Sequence, residues 1–163
     1  MNIRNNLINS ISQKLAILQT HVELNNSLSL YDLNIYAEDF YRVLLNKVYG
    51  YNLINVNVVK KHAIAIDLLD ADSKIAIQVT ADNSKNKIVD TITKYTSSNN
   101  YQGSNSLKIL IIKPKIKRKG IISVSDYNFD LSNDILDVTE ILAHLKNSKN
   151  VTQLEQIDNW LTD

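Results

Sequence analysis

Leu7, Ile11, Leu15, Leu18 and Val22 fall four, four, three and four residues apart, the spacing of one face of an α-helix. A second helix is predicted over Asp32 to Tyr49, with Asp32 as its cap and Leu33, Tyr36, Ala37, Phe40 and Leu44 as its apolar stripe. Gly50 stands where a left-handed C-terminal cap belongs. The period then changes to two. Three short runs rich in branched residues, Leu53 to Val59, Ala63 to Leu69 and Lys74 to Thr80, read as strands, and the Asp and Ser of the intervening ADSK suit a tight antiparallel connection. Asn83 or Ser84 opens another helix that turns Ile88, Ile92 and Tyr95 inward, and Ser97 to Ser106 is a polar loop. Leu107 to Ile112 is the unbroken apolar run of a central strand covered on both faces. A basic segment, KPKIKRKG, leads to a candidate fifth strand, IISVS, and two closing helices are predicted over Ser132 to Lys146 and Val151 to Leu161.

This order predicts an α/β (or α+β) layered fold: a mixed central β-sheet of four to five strands flanked by helices, with a helical pair at the N-terminus. The crossover from the third strand through the Ser84 helix to the LKILII strand is parallel. No internal repeat and no convincing linker divides the chain, so residues 1–163 read as one domain, with N-terminal helices over 1–50, a sheet core with its crossover helix over 53–125 and C-terminal helices over 132–162. At 163 residues, 44% apolar and 21% charged, with one Pro and three Gly, the chain can bury a single core, and disorder is excluded. No apolar run approaches the roughly 20 residues needed to span a bilayer, and MNIRNNLINS has no secretory pattern. Zero Cys removes disulfides, thiol catalysis and thiolate metal sites, and suits a cytoplasmic protein. The three His, at 21, 62 and 144, are spread in a way that argues against a His-based zinc site.

Charge is segregated. From Lys60 to Lys119 there are twelve Lys/Arg against five Asp, an excess of +7, whereas from Asp126 onward eight Asp/Glu meet two Lys, giving −6. Taken alone, this describes two solvated surfaces. The sharper reading is a basic centre that meets a polyanion, with the acidic stretch on another face. The strands AIAIDLL and KIAIQVT carry the most informative polar positions. Alternation puts Ile64, Ile66 and Leu68 on one face and Ala63, Ala65 and Asp67 on the other, while Ala76, Gln78 and Thr80 share a face of the next strand. If the apolar faces coincide, Asp67, Gln78 and Thr80 project together. A carboxylate in so apolar a strand needs a partner. A divalent cation held by oxygen ligands is one such partner; a backbone N–H or a Lys at the strand end is another.

The pieces AEDFYRVLLNKVYGYNLINVN, AIDLLD, IAIQVTADNSKNKI and TITKY, in this order between Tyr36 and Tyr95, resemble the SMEK domain, an N-terminal module of bacterial multidomain proteins linked to phage defence. The stretch covers a little over a third of the chain. The family pattern is in turn similar to the PD-(D/E)xK, restriction-endonuclease-like nuclease fold, which places a helical Glu before the sheet, an Asp on the second strand, and an acid or Gln on the third followed two residues later by Lys. The resemblance implies Glu38 as the helical acid, Asp67 as the principal metal ligand and Gln78 as the third-strand position, as in the Mrr branch. It implies Mg²⁺ as cofactor, with Mn²⁺ as a substitute, and Glu38, Asp67 and Gln78 as the metal ligands. The chain departs from the pattern at Thr80, where the usual Lys is absent; Lys87 is expected to supply that charge from the next helix, with Lys85 as competitor. Catalysis would rest on Asp67, Gln78 and Lys87.

On this reading the expected function is metal-dependent hydrolysis of DNA phosphodiester bonds with little sequence specificity, by an effector in bacterial anti-phage defence. Lys85, Lys113, Lys115, Lys117, Arg118 and Lys119 (with Lys108) would hold backbone phosphates. The alternative is a catalytically inactive nucleic-acid-binding or protein-assembly module on the same fold; a weaker third reading is a helical interaction protein whose first helix pairs with a partner. The expected partners are DNA and a second copy or a fused or separate sensor module, with no membrane. Other chemistries lack their motifs: GxxxxGK[ST], GxGxxG and GxSxG do not occur. His62 reads as the start of a strand, Trp160 as packing on the last helix, and the Tyr cluster around the second helix as core and rim.

Overall fold

The computed structural model describes residues 2–27, 32–59, 66–98 and 103–162. Helix α1 (Ile3–Ser27) buries Ile11, Leu15 and Val22 as the spacing predicts. It is fastened to the C-terminal helices α5 (Val138–Ser148) and α6 (Val151–Thr162) by polar side chains. The Arg4 guanidinium donates to the carbonyls of Leu145, Lys146 and Lys149 around the carboxyl end of α5, where the helix dipole favours a positive charge. Lys14 pairs with Asp158 at 2.8 Å. Helix α2 (Asp32–Tyr49) ends on Gly50, whose φ of +73° is the expected left-handed cap. Its buried face is Ala37, Tyr41, Leu44, Leu45 and Val48, so the predicted stripe is corrected at Tyr36, which is 77% exposed. The side chain of Leu33, also placed in that stripe, lies outside the description.

Two sheets follow. The larger is formed by β1 (Ile54–Asn55), β2 (Leu68–Asp70), β3 (Ile75–Thr80), β4 (Ser106–Ile111) and β7 (Ile135–Leu136), in that order. The β1–β2 and β2–β3 pairs are antiparallel, and the β3–β4 and β4–β7 pairs are parallel, which makes the sheet mixed. The crossover between β3 and β4 is α4 (Lys85–Ser97), capped by Ser84, whose hydroxyl accepts from the Lys87 N–H. Ile77, Val79 and Leu110 face α1, α2, α5 and α6; Ala76, Leu107, Ile109 and Ile111 face Ile88, Ile92 and Tyr95 of α4. The chain is thus an α/β protein with helices on both faces of a mixed five-stranded sheet.

Four expectations are corrected. The run Leu53 to Val59 is a two-residue strand followed by one helical turn, α3 (Val56–Val59), because Asn55 closes the strand and its side chain accepts from the Asn57 N–H at 3.0 Å. The strand expected from Ala63 starts, among the described residues, only at Leu68, with a bend at Asp67 before it; residues 63–65 and His62 lie outside the described residues. IISVS does not join the main sheet: β5 (Ile121–Val124) forms a separate hairpin with β6 (Tyr127–Asp130), turning through Ser125 and Asp126 at φ +49° and +66°. The fifth strand of the main sheet is β7, inside the segment read as helix from Ser132. That helix begins instead at Val138, where Asp137 accepts from the Glu140 N–H at 3.2 Å.

Candidate acidic site at the carboxyl end of β3

Asp67 lies just before β2, where the alternation of the strand breaks. Ile66 packs on the α4 side of the sheet and Leu68 on the opposite side, although they are two residues apart. The expectation that they share a face is corrected: the chain bends at Asp67 and changes phase. The Asp67 backbone stays in the ladder, donating to the Ile77 carbonyl at 3.0 Å and accepting from the Val56 N–H at 2.9 Å. Asp67 is 8% exposed, and its carboxylate accepts the Val79 N–H at 2.8 Å through Oδ2 and the Asn57 amide at 2.9 Å through Oδ1. Asp67 therefore also makes the backbone contact that a purely structural acid would make.

The same Asn57 Nδ2 donates to Glu38 Oε2 at 3.1 Å. One neutral amide thus holds two carboxyl groups contributed by α2 and by the entry to β2. Burial and the nearby Asp67 push Glu38 up from 4.5 to about 7, against the opposing hydrogen bond from Asn57. Burial also raises Asp67, opposed by the Val79 N–H, the Asn57 amide, Glu38 and the positive charge of Lys87. Both carboxyl groups of the pair are thus held protonated to higher pH than free ones, with burial as the main cause. Among the described residues, no group of three or more His, Cys, Asp or Glu is placed to hold a metal ion.

Lys87 is half-buried in the first turn of α4, and its charge acts on both Asp67 and Asp82. Lys85, two residues earlier, is exposed. Gln78 is half-buried on β3; its one side-chain hydrogen bond among the described residues goes from Nε2 to the Val79 carbonyl at 3.4 Å. Thr80 turns the chain out of β3, accepting the Asp82 N–H at 3.0 Å. Neither residue is hydrogen-bonded to Asp67, so the expected trio reduces, in direct contacts, to Asp67 with Glu38 and Asn57.

The basic segment runs alongside the start of α4. Arg118 donates to the Asn83 carbonyl at 3.0 Å, Asn83 Nδ2 donates to the Pro114 carbonyl at 3.3 Å, and the charge of Lys113 acts on Asp82. Lys117 and Lys119 are exposed. Two lysines given to phosphate binding are engaged within the protein. Lys115 pairs with Glu140 and donates to the Ile135 carbonyl at 3.0 Å, and burial lowers its pKa; Lys108 pairs with Asp134 at 3.4 Å.

Asn57 was not singled out in the sequence. The signal that could have found it is NLINVN, in which three Asn interrupt an apolar run where Asn is disfavoured in strands and favoured where side chains bond backbone. Among the described residues, no helix is long and apolar enough to cross a membrane. No curated protein and no solved structure matches the sequence. The family model described as the SMEK domain matches residues 10–146, well beyond the stretch from Tyr36 to Tyr95. The chain belongs to the SMEK domain family.

Proposed function

We propose that this domain is a divalent-cation-dependent nuclease of the restriction-endonuclease-like, PD-(D/E)xK class, hydrolysing DNA phosphodiester bonds with little sequence preference. The observation that supports it most is the cluster of buried Asp67 with half-buried Glu38 and Asn57, with Lys87 in electrostatic reach. Two carboxyl groups share one neutral donor there, and hard oxygens in excess of positive charge suit Mg²⁺ or Mn²⁺. Asp67 would be the principal ligand, with Glu38 and Gln78 as further oxygen donors. When bound, the cation would offset charge on the phosphate and activate a water. Lys87 would stand in for the Lys absent at Thr80, stabilising charge that develops on the non-bridging oxygens. Lys85, Lys113, Lys117, Arg118 and Lys119 would hold flanking phosphates in any sequence.

The location supports the same reading: Asp67 leans on the carboxyl end of β3, beside the amino end of α4, the region where open α/β sheets receive ligands. On the strength of the family resemblance we place the domain in the bacterial cytoplasm as an effector of anti-phage defence, controlled by self-association or by a fused or partner sensor module. Incubation of the purified chain with plasmid DNA in Mg²⁺, Mn²⁺ or EDTA tests the proposal. Metal-dependent nicking that EDTA stops supports it. DNA retention without cleavage, even at high protein concentration, replaces it with the non-catalytic binding module that the missing Lys at Thr80 favours.

A further inference from the structure

The segment between β4 and β5 reverses the usual disposition of its side chains. Lys115 is turned inward, with 15% of its side chain exposed, and is held by Glu140 and the Ile135 carbonyl. The next residue, Ile116, is turned outward and is 50% exposed; Ile121, at the end of the segment, is 61% exposed. A charged side chain turned partly inward next to a branched apolar one turned outward inverts the usual arrangement, in the middle of a run of cations. The backbone that presents Ile116 is neither helix nor strand, yet it is tied at several points. The Lys115 N–H donates to Asp137 Oδ2 at 3.0 Å, the Pro114 carbonyl accepts from Asn83, Arg118 donates to the Asn83 carbonyl, and the Gly120 carbonyl accepts the Leu131 N–H at 3.0 Å. Ile116 is thus preorganised on the surface, with Lys113, Lys117, Arg118 and Lys119 around it in the sequence.

We propose that Ile116 is an apolar wedge that enters between base steps of duplex DNA while the surrounding cations neutralise the phosphates on either side. Charge complementarity selects the occupant: one branched side chain among four cations matches a surface whose charge lies on two backbones and whose apolar faces lie between bases. An anionic lipid surface shares the charge, but residues 113–121 hold no Trp, Tyr or Phe to anchor in an interface. The wedge rests on the DNA reading above and extends it, because a kinked duplex at Ile116 would bring DNA along the start of α4 toward Lys87 and Asp67.

The test is a short duplex carrying 2-aminopurine at a central TA step, titrated with protein in EDTA so that nothing is cleaved. Wild type is expected to raise the fluorescence as the step unstacks. Ile116→Ala, at a half-exposed position and checked by an unchanged melt, is expected to leave the fluorescence flat and to bind roughly tenfold more weakly. Its dependence of log K on log salt should match wild type, because every cation remains. Binding and fluorescence equal to wild type in Ile116→Ala would overturn the wedge while leaving the DNA reading intact. Failure of wild type to bind any duplex would overturn the DNA reading and the wedge together. Ile116-dependent binding to phosphatidylserine vesicles, with a silent 2-aminopurine signal, would assign the isoleucine to lipid and also overturn the wedge.

Discussion

Glu38→Gln is expected to stabilise the cation-free domain at neutral pH and to leave its stability unchanged near pH 4. In the unfolded chain Glu38 ionises at its ordinary value of 4.5, whereas in the folded domain it keeps its proton to about 7 because it is partly buried beside Asp67. Between those two values the folded state binds more proton. The stability contributed by protonated Glu38 is therefore full below pH 4.5 and lost as the pH rises through 7. Unscreened, that interval corresponds to about 3 kcal/mol; Glu38 is partly exposed, and solvent screening reduces this to roughly 1–2 kcal/mol. Gln keeps the size and hydrogen-bonding capacity of the side chain and has no proton to lose. For a chain of this length the gain corresponds to a rise of roughly 3–6 °C in Tm at pH 8, and none at pH 4. Urea unfolding in EDTA at pH 4, 5.5, 7 and 8 measures it, and the titrating groups away from the Glu38–Asp67 pair cancel between the two proteins. Parallel stability profiles for wild type and variant would refute the raised Glu38 pKa that burial, reinforced by Asp67, is held to cause.

Asp67→Asn is expected to abolish metal-dependent cleavage and the Mn²⁺-induced rise in Tm; a full Mn²⁺ shift in the variant would remove Asp67 from the ligand set. Asn is the substitution of choice because Ala would leave the buried Val79 N–H without its acceptor, at roughly 1–3 kcal/mol. Lys87→Met should lower the cleavage rate by about 10²–10³, by analogy with loss of one transition-state donor. Lys85→Met should do far less, and equal rates for Lys87→Met and wild type would end the migrated-lysine idea. Joint replacement of Lys117 and Lys119 by Gln should reduce the salt slope of DNA binding by about one unit per lost contact, equally for unrelated sequences. Lys115→Gln, by contrast, should leave the slope alone and cost roughly 1–3 kcal/mol of stability, because its ammonium serves Glu140 and the Ile135 carbonyl; a changed slope with unchanged stability would return Lys115 to the DNA surface.

The layers of the fold were legible wherever one period ran long enough to bury a face. The stripe of α1 and the β3–α4–β4 crossover follow from spacing alone, since helix and strand periods leave different burial patterns, whereas the cap was narrowed to Asn83 or Ser84 and the structure selects Ser84. The short elements were not legible. β7 is two residues long, and Ile135–Leu136 fits a helix as well as a strand until Asp137 and Glu140 are recognised as the cap that starts α5 after it. The hairpin β5–β6 was half seen, because its turn uses Ser125 and Asp126 at positive φ, where Asn-Gly would have been the visible signal. Lys115 was unreadable for a related reason: in a segment with neither period, no pattern says which side chain turns inward.

The candidate site was legible to the extent that it violates a pattern. Asp67 stood out as a charge in an apolar strand, yet the alternation that exposed it also misplaced it on a face of the sheet. The bend changes the phase at Asp67, sends Ile66 and Leu68 to opposite cores, and frees the carboxylate from both. Leu68 pairs with Ile77, so continuing the antiparallel register would place Ile66 opposite Val79. Instead the Val79 N–H is taken by the Asp67 side chain, which replaces a backbone partner at the end of the ladder. A side-chain oxygen bound there stands at the carboxyl end of β3, where the helical layer supplies Glu38 and the turn of α3 supplies Asn57. Asn55 ends β1 and caps that turn, which is why an Asn-rich run rather than a longer valine strand precedes Asp67. The same irregularities that defeat strand prediction over residues 53–59 and at Asp67 are thus the ones that gather the acid pair.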